Sequence, residues 1–543
     1  MAEGFALLLR QNFGDLEEAA SSWRKLGESA GEAQQRHRSQ AAGPLLNWQS
    51  PAAGAARGEL DKAEQQLGIV NAEATAIAVV LDTVHRRMSE AQQELRAAVS
   101  EAESNNYRVG DDGSVTGPQL DPAYRNDPDY QEINRQQNAR LGEFRQRIDA
   151  AVQKAERASA DGAVALGSLN GDVVTADPAK AQGEVANDIN AMRSQLGLGP
   201  VVPTSDDPTA NAKWWAGLSP QQQREYLALY PGEIGNLNGI SSEVRDVANR
   251  ENLERQLDLA RTDTSEDGTK RFRALEKLRN RLDQEDKDGE GPPVFLIGLD
   301  PRDDGKAIVA FGNPDTAANT AVYVPGTTAD LDGMGGDMDR MKRLQTASQQ
   351  YGDTATIAWL GYDAPDDIVK DAPFNNYAED GAPKLDSYID SLGTTHEPGT
   401  SRHTTVIGHS YGSVVVGEAA KNGNGLAVDE ILVAGSPGMH VPYARDLNID
   451  PRHVWAAEAD WDPVPSIGGL GHGRSDGWFD LPNTPTSEDF GANRITTEGN
   501  SGHSSYWDDI HGGNGKPNSS LDNQAAIVAG QYDRVSLEHG SRP

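Results

Sequence analysis

The stretch that most constrains the fold lies at residues 403–417, which read His-Thr-Thr-Val-Ile-Gly-His-Ser-Tyr-Gly-Ser-Val-Val-Val-Gly. The Thr-Thr-Val-Ile run is wholly β-branched and predicts a short buried strand, and the small and branched residues at the end suit a packed helix. Between them, Gly408 and Gly412 lie two residues to either side of Ser410. Glycine is required there because a sharp turn brings backbone segments too close for a Cβ atom. The pattern therefore predicts a strand, a tight turn that lifts the Ser410 hydroxyl, and a helix.

The Gly-x-Ser-x-Gly spacing alone is weak evidence, since the chain contains 57 glycines and the same spacing recurs around Ser29 and Ser475. Ser29 lies in a helical pattern and Ser475 in a glycine-rich stretch, and neither follows an apolar strand. Only Ser410 has the strand–turn–helix setting of a nucleophile elbow, the turn that carries the catalytic serine of α/β-hydrolases. Ser410 is therefore the predicted nucleophile.

From about residue 292 the sequence alternates short apolar runs with helix-length segments. Eight strands are predicted, at 294–299, 307–311, 320–324, 354–360, 404–407, 430–434, 453–457 and 494–497. Alternating strands and helices are typical of a doubly wound sheet, which carries its chemistry at the carboxyl ends of the strands. The predicted fold is α/β: an α/β-hydrolase doubly wound sheet of about eight strands, preceded by a mainly α-helical N-terminal region.

A serine nucleophile needs a base to take its proton and an acid to orient that base. In this fold both partners follow the serine, acid first. Asp462 lies just beyond the strand at 453–457 and precedes a proline that fixes the turn, and Asp460 is the alternative acid. His503 follows the last strand and is the predicted base. The remaining candidates for the base are His472, His440 and His511.

The oxyanion formed during acyl transfer needs backbone donors. One predicted donor is the N–H of Tyr411, directly after the nucleophile, and the other comes from the Pro-Gly-Thr-Thr segment after the strand at 320–324. Gly326 allows close backbone approach there, so Thr327 or Thr328 is the expected donor, with Thr327 preferred. Acidic residues near 330–339 suit the start of a helix. Neither a metal nor a cofactor is expected.

The bulk composition limits the function classes. A net charge of −34 repels phosphate backbones and anionic headgroups, which argues against a nucleic-acid partner. The absence of cysteine excludes disulfides and thiolate chemistry. Neither a secretory signal nor a membrane-length apolar run is evident, so the expectation is a cytoplasmic protein that is not integral to the membrane.

The length of 543 residues predicts several domains. The expected divisions are a helical hairpin at 1–120, a helical segment and linker at 121–205, a further helical segment at 206–290, and the catalytic domain at 291–543. In the hairpin, an a/d seam indicates helix–helix packing and a possible helical partner. The seam residues are Leu67, Val70, Ala74, Ile77, Leu81, Val84, Met88, Ala91, Leu95 and Ala98.

This hairpin resembles the small Trp-x-Gly helical-hairpin proteins that actinobacteria export by the type VII pathway. Trp48 stands where that family has a tryptophan between the helices, but Ser50 replaces the expected glycine. The segment 107–111 matches the Tyr-x-x-x-Asp/Glu export signal of the family, and the resemblance implies possible export. The following Asp112-Gly113 equally predicts an ordinary hairpin turn.

Several motifs of the second half occur together in order: Trp-Trp-Ala-Gly-Leu-Ser-Pro from 214, Ile-Gly-Asn-Leu-Asn-Gly-Ile from 234, Val-Pro-Gly-Thr from 324, Trp-Leu-Gly-Tyr-Asp-Ala-Pro from 359, and Gly-His-Ser-Tyr-Gly from 408. Over about residues 213–507 the chain resembles an actinobacterial α/β-hydrolase family of formerly unknown function. The resemblance implies a lipase- or esterase-like serine hydrolase whose triad maps onto Ser410, Asp462 and His503. It supplies no substrate.

The expected activity is cleavage of a carboxylic ester, in a small molecule or a lipid, through an acyl-enzyme. The alternative is a type VII-linked exported or partner-binding protein whose hydrolase domain is secondary or inactive. The insertion at 366–383 is expected to form a lid or acyl pocket, or else a plain surface loop.

Overall fold

The computed structural model describes residues 2–37, 50–120, 123, 125, 128–169, 178–198, 202–288, 291–367, 370–372, 374–474, 483–508 and 518–538. The chain divides into two compact units, Met1–Val201 and Val202–Pro543. The finer predicted boundaries at residues 120, 205 and 290 stay predictions.

The first unit is built mainly of helices, three of which share an apolar core. Its helices are α1 Ala2–Arg10, α2 Gly14–His37, α3 Pro51–Ser104, α4 Pro128–Ser168 and α5 Pro178–Gln195. The core joins α1, α3 and α4 through residues such as Phe5, Leu95 and Phe144. The Gly/Ala/Asp-rich sequence at 161–176 predicts a joint between helices, but its first part is helical, since α4 continues to Ser168. Gly162 serves packing there, because a Cβ atom on it would lie 2.3 Å from a methyl carbon of Val84 on α3.

A short antiparallel hairpin follows α3, with strands β1 Arg108–Val109 and β2 Val115–Thr116. It turns at the predicted Asp-Gly pair, and Asp112 accepts a hydrogen bond from the Ser114 N–H. Tyr107, the first residue of the suggested export signal, is buried and donates its hydroxyl to the carbonyl of Gln137 at 3.0 Å. Trp48 lies outside the described residues. Export by a type VII pathway therefore stays a prediction.

One helix within the described ranges, Gly58–Ser104 in α3, is long and apolar enough to cross a membrane by length and composition. The core helix of a helical bundle passes the same criterion, and 61% of the apolar window is buried inside the unit. The helix is therefore weak evidence for a membrane span, and the expectation of no integral membrane segment stays a prediction.

The second unit begins with helices and continues into an α/β sheet. Its helices are α6 Pro208–Ala216, α7 Pro220–Leu229, α8 Pro231–Gly235, α9 Ser242–Thr262, α10 Glu266–Asp288, α11 Met334–Ser348, α12 Asn376–Thr395, α13 Gly412–Lys421, α14 Val464–His472 and α15 Ser519–Val528. The α7 helix starts as its sequence predicts: Ser219 caps it, Gln222 completes the capping box, and proline occupies the first turn.

All eight predicted strands are present, which confirms the predicted sheet. They are β3 Val294–Asp300, β4 Lys306–Phe311, β5 Asn319–Val324, β6 Thr354–Trp359, β7 His403–His409, β8 Glu430–Ala434, β9 Val454–Ala457 and β10 Asn493–Ile495. They form one sheet in the order β10-β9-β8-β7-β5-β6-β4-β3. Strands β5 to β10 pair in parallel, whereas β3 and β4 join as an antiparallel edge.

The chain reverses its direction of winding between β5 and β7. From β5 it moves to β6 on one side, and then crosses to β7 on the other side. The crevice at such a switch point, beyond the carboxyl ends of the strands, is where doubly wound sheets bind ligands. Val324 and Gly408 are paired across β5 and β7. The residues that follow them, including Ser410, therefore leave the sheet side by side.

A buried carboxylate lies near the amino ends of the central strands. Glu430, at the start of β8, accepts hydrogen bonds from Trp455, His453 and Tyr532, and His403 lies 3.5 Å away. Burial alone would raise the pKa of Glu430, but these hydrogen bonds outweigh it and lower the pKa. For His403 the order is the same: burial would lower its pKa, but its hydrogen bonds to Glu430 and the Val528 carbonyl raise it.

We expect Glu430→Gln to lower the free energy of unfolding of the α/β unit by about 3 kcal/mol, since it breaks a buried ion pair. A lowered Glu430 pKa gives stabilisation that is complete above about pH 4.3 and is lost on further acidification. A raised His403 pKa gives stabilisation that is complete below about pH 6.5 and is lost on alkalinisation. The difference from wild type should therefore be largest between these values.

Urea denaturation followed by tryptophan fluorescence, at pH 5.5 and pH 8.5, measures this difference. The matched control is Glu397→Gln, because Glu397 is exposed. An equal loss of stability at both pH values would contradict the proposed coupling between Glu430 and His403.

Candidate active site

The predicted elbow forms at the carboxyl end of β7. Ser410 adopts a left-handed backbone with φ of +54°, a strained conformation for a residue with a side chain. Its N–H donates to the carbonyl of Ala434 on β8, and its own carbonyl accepts the N–H of Ser413 in the first turn of α13. These bonds hold the turn in place. Ser410 is half-buried just beyond the carboxyl end of β7.

Crowding explains both glycines of the elbow. A Cβ atom on Gly412 would lie 2.1 Å from the carbonyl oxygen of Val324, and one on Gly408 would lie 2.6 Å from the Cα of Ser413. Backbone atoms cannot yield as a flexible side chain can, so no side chain fits at either position. Of the other two serines with this glycine spacing, Ser29 lies within α2 and Ser475 lies outside the described residues.

The structure brings His503 onto Asp462. The Nδ1 atom of His503 lies 2.9 Å from each carboxylate oxygen of Asp462. The Asp462 side chain is fully buried, whereas the His503 side chain is 27% exposed. A carboxylate on Nδ1 fixes the proton there and leaves the Nε2 lone pair as a base.

Two further hydrogen bonds hold the Asp462 carboxylate. The Tyr506 hydroxyl donates to Oδ2 at 2.6 Å, and the N–H of Val464 donates to Oδ1 at 2.9 Å. Burial alone would raise the pKa of Asp462, but the bonds from His503, Tyr506 and Val464 outweigh it and lower the pKa. Asp462 is therefore held as a carboxylate.

Asp460, the alternative acid, lies at the surface and contacts the His503 loop through its backbone. Its side chain is exposed, and its backbone carbonyl accepts the N–H of Gly502 at 2.7 Å. A bridge between Asp460 and Ser501 extends this contact. Asp460 therefore supports the loop of His503 through its backbone, while Asp462 contacts the imidazole.

Ser410 and His503 both lie next to Gly435. The Ser410 N–H donates to the carbonyl of Ala434, the residue before Gly435. A Cβ atom on Gly435 would lie 2.9 Å from the Nδ1 and Cε1 atoms of His503. Within the described part of the chain, no hydrogen bond joins the Ser410 hydroxyl to His503. Such bonds are commonly long in a free enzyme and tighten when substrate binds.

The Pro-Gly-Thr-Thr segment at 325–328, where the second oxyanion donor is expected, lies against the elbow. A Cβ atom on Gly326 would lie 2.6 Å from the Cβ of Ser410 and 3.0 Å from the Tyr411 nitrogen. The Thr328 N–H donates to the Pro365 carbonyl at 2.7 Å, so that donor is occupied. The Thr327 N–H has no acceptor among the described residues, which leaves Thr327 and Tyr411 as the candidate donors.

The other candidate histidines are engaged elsewhere. His440 bonds Glu418 through Nδ1 and the Nδ1 atom of His472 through Nε2, the latter at 3.0 Å. His472 in turn donates from Nε2 to the carbonyl of Ala372 at 2.6 Å. Over the described ranges neither contacts Asp462, and His511 lies outside those ranges.

The second part of the insertion at 366–383 is helical, because α12 begins at Asn376 and contains Pro383. Its loop portion is fastened to the site at two points. The Tyr411 hydroxyl donates to the carbonyl of Phe374 at 2.6 Å, and His472 holds Ala372. The loop portion thus borders the elbow through the residue after Ser410.

The comparisons with known proteins concern the fold. Residues 300–471 match the family described as alpha/beta hydrolase. The fold is that of an α/β-hydrolase. An uncharacterized protein of Mycobacterium tuberculosis strain H37Rv is 28% identical over 459 residues, which cover 76% of this chain and 67% of the relative. An uncharacterized protein of Mycobacterium bovis is 32% identical over 177 residues, covering 30% of this chain and 65% of that protein. The chain is thus similar to mycobacterial proteins that are themselves uncharacterized.

Three residues of the site were not assigned a role from the sequence. Tyr506 holds Asp462, Gly435 leaves room for the imidazole, and His409 lies beneath His503. The signal for Tyr506 was its place in the segment His-Ser-Ser-Tyr-Trp at 503–507, three residues after His503. Gly435 and His409 act through contacts that only the folded sheet creates.

Proposed function

We propose that this α/β-hydrolase is a metal-independent serine hydrolase that cleaves carboxylic esters through an acyl-enzyme. The observation that carries the proposal is the buried Asp462 carboxylate bound to Nδ1 of His503, beside a serine held at a strained φ of +54°. A structural turn needs neither the strain nor the buried acid–histidine pair. A nucleophile with its base needs both.

In the proposed reaction His503 takes the Ser410 proton on Nε2 while the Ser410 oxygen attacks the acyl carbonyl. The carbonyl oxygen becomes negatively charged and accepts the backbone N–H groups of Thr327 and Tyr411. His503 then gives its proton to the leaving alcohol, and Asp462 stabilises the imidazolium that forms between the two transfers. Water, activated by the same histidine, releases the acid and restores Ser410.

Esters are preferred over amides because the Asp-Pro-Val-Pro and His-Ser-Ser-Tyr-Trp segments around Asp462 and His503 resemble lipase motifs. An ester also needs less help to expel its leaving group than an amide does. We propose a small-molecule or lipid ester as substrate, with the loop before α12 as one wall of the site, since Tyr411 fastens it to the elbow.

The direct test is a burst experiment with p-nitrophenyl butyrate. Wild type should release about one equivalent of p-nitrophenol per chain before the steady state, as a covalent acyl-enzyme requires. Gly326→Ala should slow the burst about 10²–10³-fold, because the new Cβ would crowd Ser410 and the Tyr411 N–H, and removing one oxyanion donor has that effect.

The matched control is Gly335→Ala, since a Cβ atom on Gly335 in α11 meets no atom within 4 Å. This variant should keep the wild-type burst. A folded wild type without a burst or steady-state turnover over a series of acyl-chain lengths would overturn the proposed ester hydrolysis.

A further inference from the structure

A second histidine lies directly beneath the proposed base. His409, the last residue of β7, is buried and stacks on His503 with ring centroids 4.7 Å apart and planes inclined by 27°. Its Nε2 atom lies 2.8 Å from the backbone carbonyl oxygen of His503. One side chain thus contacts both the ring and the backbone of His503.

The partners of His409 fix its protonation. A carbonyl oxygen only accepts, so Nε2 of His409 must carry the proton, and Nδ1 is left facing the Tyr323 hydroxyl at 3.3 Å. Arg340 donates to the same hydroxyl at 2.9 Å and also bonds Asp337. Burial, then the charges of Arg340 and His503, lower the pKa of His409 to about 3. His409 is therefore neutral at any pH at which His503 works as a base.

Neutrality matters because His503 becomes positively charged during the proposed reaction. A charged ring stacked on it would repel that imidazolium, whereas a neutral ring presents only a polarisable face. The edge of Trp507 packs against His409 at 5.2 Å, and Arg340 lies over the Trp507 ring. The support beneath His503 is thus fixed on several sides.

We propose that His409 is a positioning residue, which holds the His503 imidazole in line between Asp462 and Ser410. The proposal rests on the proposed serine-hydrolase function. The rival explanation is that His409 merely fills the core at the end of β7. The two differ in their effect on catalysis, because a space-filling residue alters stability but not how His503 works.

The test uses His409→Phe, which keeps the stacked ring and loses the donor, and His409→Gln, which keeps a donor and loses the ring. The matched control is His403→Gln, at the opposite end of the same strand and outside the site. For each variant the measurements are kcat and KM for p-nitrophenyl butyrate from pH 5 to 9, and thermal unfolding.

We expect both His409 variants to lower kcat about 10–100-fold while KM changes less than about twofold, as when a catalytic group is misplaced by a fraction of an ångström. The acid limb of the kcat profile should move to lower pH, because a tilted His503 loses part of its stabilisation by Asp462. His403→Gln should lower stability and leave kcat and the acid limb unchanged.

If folded His409 variants keep the wild-type kcat and acid limb, or lose activity only in proportion to stability, the inference is wrong and the proposed function stands. If neither variant folds, Tyr323→Phe decides: it removes the hydroxyl next to His409 and should move the acid limb in the same direction, whereas an unmoved limb overturns the inference. If folded wild type is inactive, the proposed function itself has failed.

Discussion

Asp462→Asn should lower kcat for ester hydrolysis about 10⁴-fold. The amide of asparagine directs an N–H group at Nδ1 of His503, which forces the imidazole proton onto Nε2, where the base needs a lone pair. The Asp462 carboxylate is fully buried and contacts the His503 imidazole through both oxygens. The loss should therefore appear in kcat, with the fold intact.

Asp460→Asn is the matched control for this prediction. Asp460 is two residues away, its side chain is exposed, and its contribution to the His503 loop is a backbone carbonyl that the substitution keeps. We expect less than a threefold change in kcat, within the scatter of surface substitutions. A larger loss for Asp460→Asn than for Asp462→Asn would mean that the acid is wrongly assigned.

Ser410→Ala should lower kcat about 10⁶-fold, the effect of removing the nucleophile from a serine hydrolase that acts through a triad. The substitution should leave the free energy of unfolding near that of wild type, since alanine keeps the backbone hydrogen bonds of the elbow.

Ser29→Ala is the control for this substitution, because Ser29 has the same flanking glycines but lies exposed on α2. It should keep wild-type activity. A Ser410→Ala variant that retains more than about a hundredth of the wild-type kcat would exclude Ser410 as the nucleophile.

The sheet and the elbow were predictable because both depend on local patterns. A β-branched run followed by Gly-x-Ser-x-Gly specifies β7 and its turn, and the fold rule for chain order then identifies Asp462 and His503. The alternation of apolar runs identifies the other strands, with ends that differ from the structure by at most two residues. These features need no knowledge of distant contacts.

One error arose where a residue serves a distant contact, and another where a helix contains a proline. Gly162 resembles a helix breaker in sequence, but α4 passes close to Val84 at this point and only glycine fits. Asn376–Pro383 resembles part of an insertion, but it is the first two turns of α12. Pro383 lies inside α12, where proline removes one intrahelical hydrogen bond, so its presence argues against a helix in the sequence.

The supporting residues of the site escaped prediction for the same reason. Tyr506 is significant only because its hydroxyl reaches Asp462, 44 residues earlier in the chain. His409 occupies the variable position of the elbow motif, where the motif itself assigns no role. Its contact with the His503 carbonyl spans 94 residues. No spacing rule within the sequence connects such pairs.

The most direct test of the central claim is labelling with a fluorophosphonate probe, followed by mass spectrometry of the labelled peptide. The probe reacts with an activated serine and requires no knowledge of the natural ester. Wild type should take up about one probe per chain at Ser410, and Ser410→Ala should remain unlabelled. Labelling of Ser410→Ala at the wild-type rate, or labelling of wild type at another residue, would contradict the assignment of Ser410 as the nucleophile.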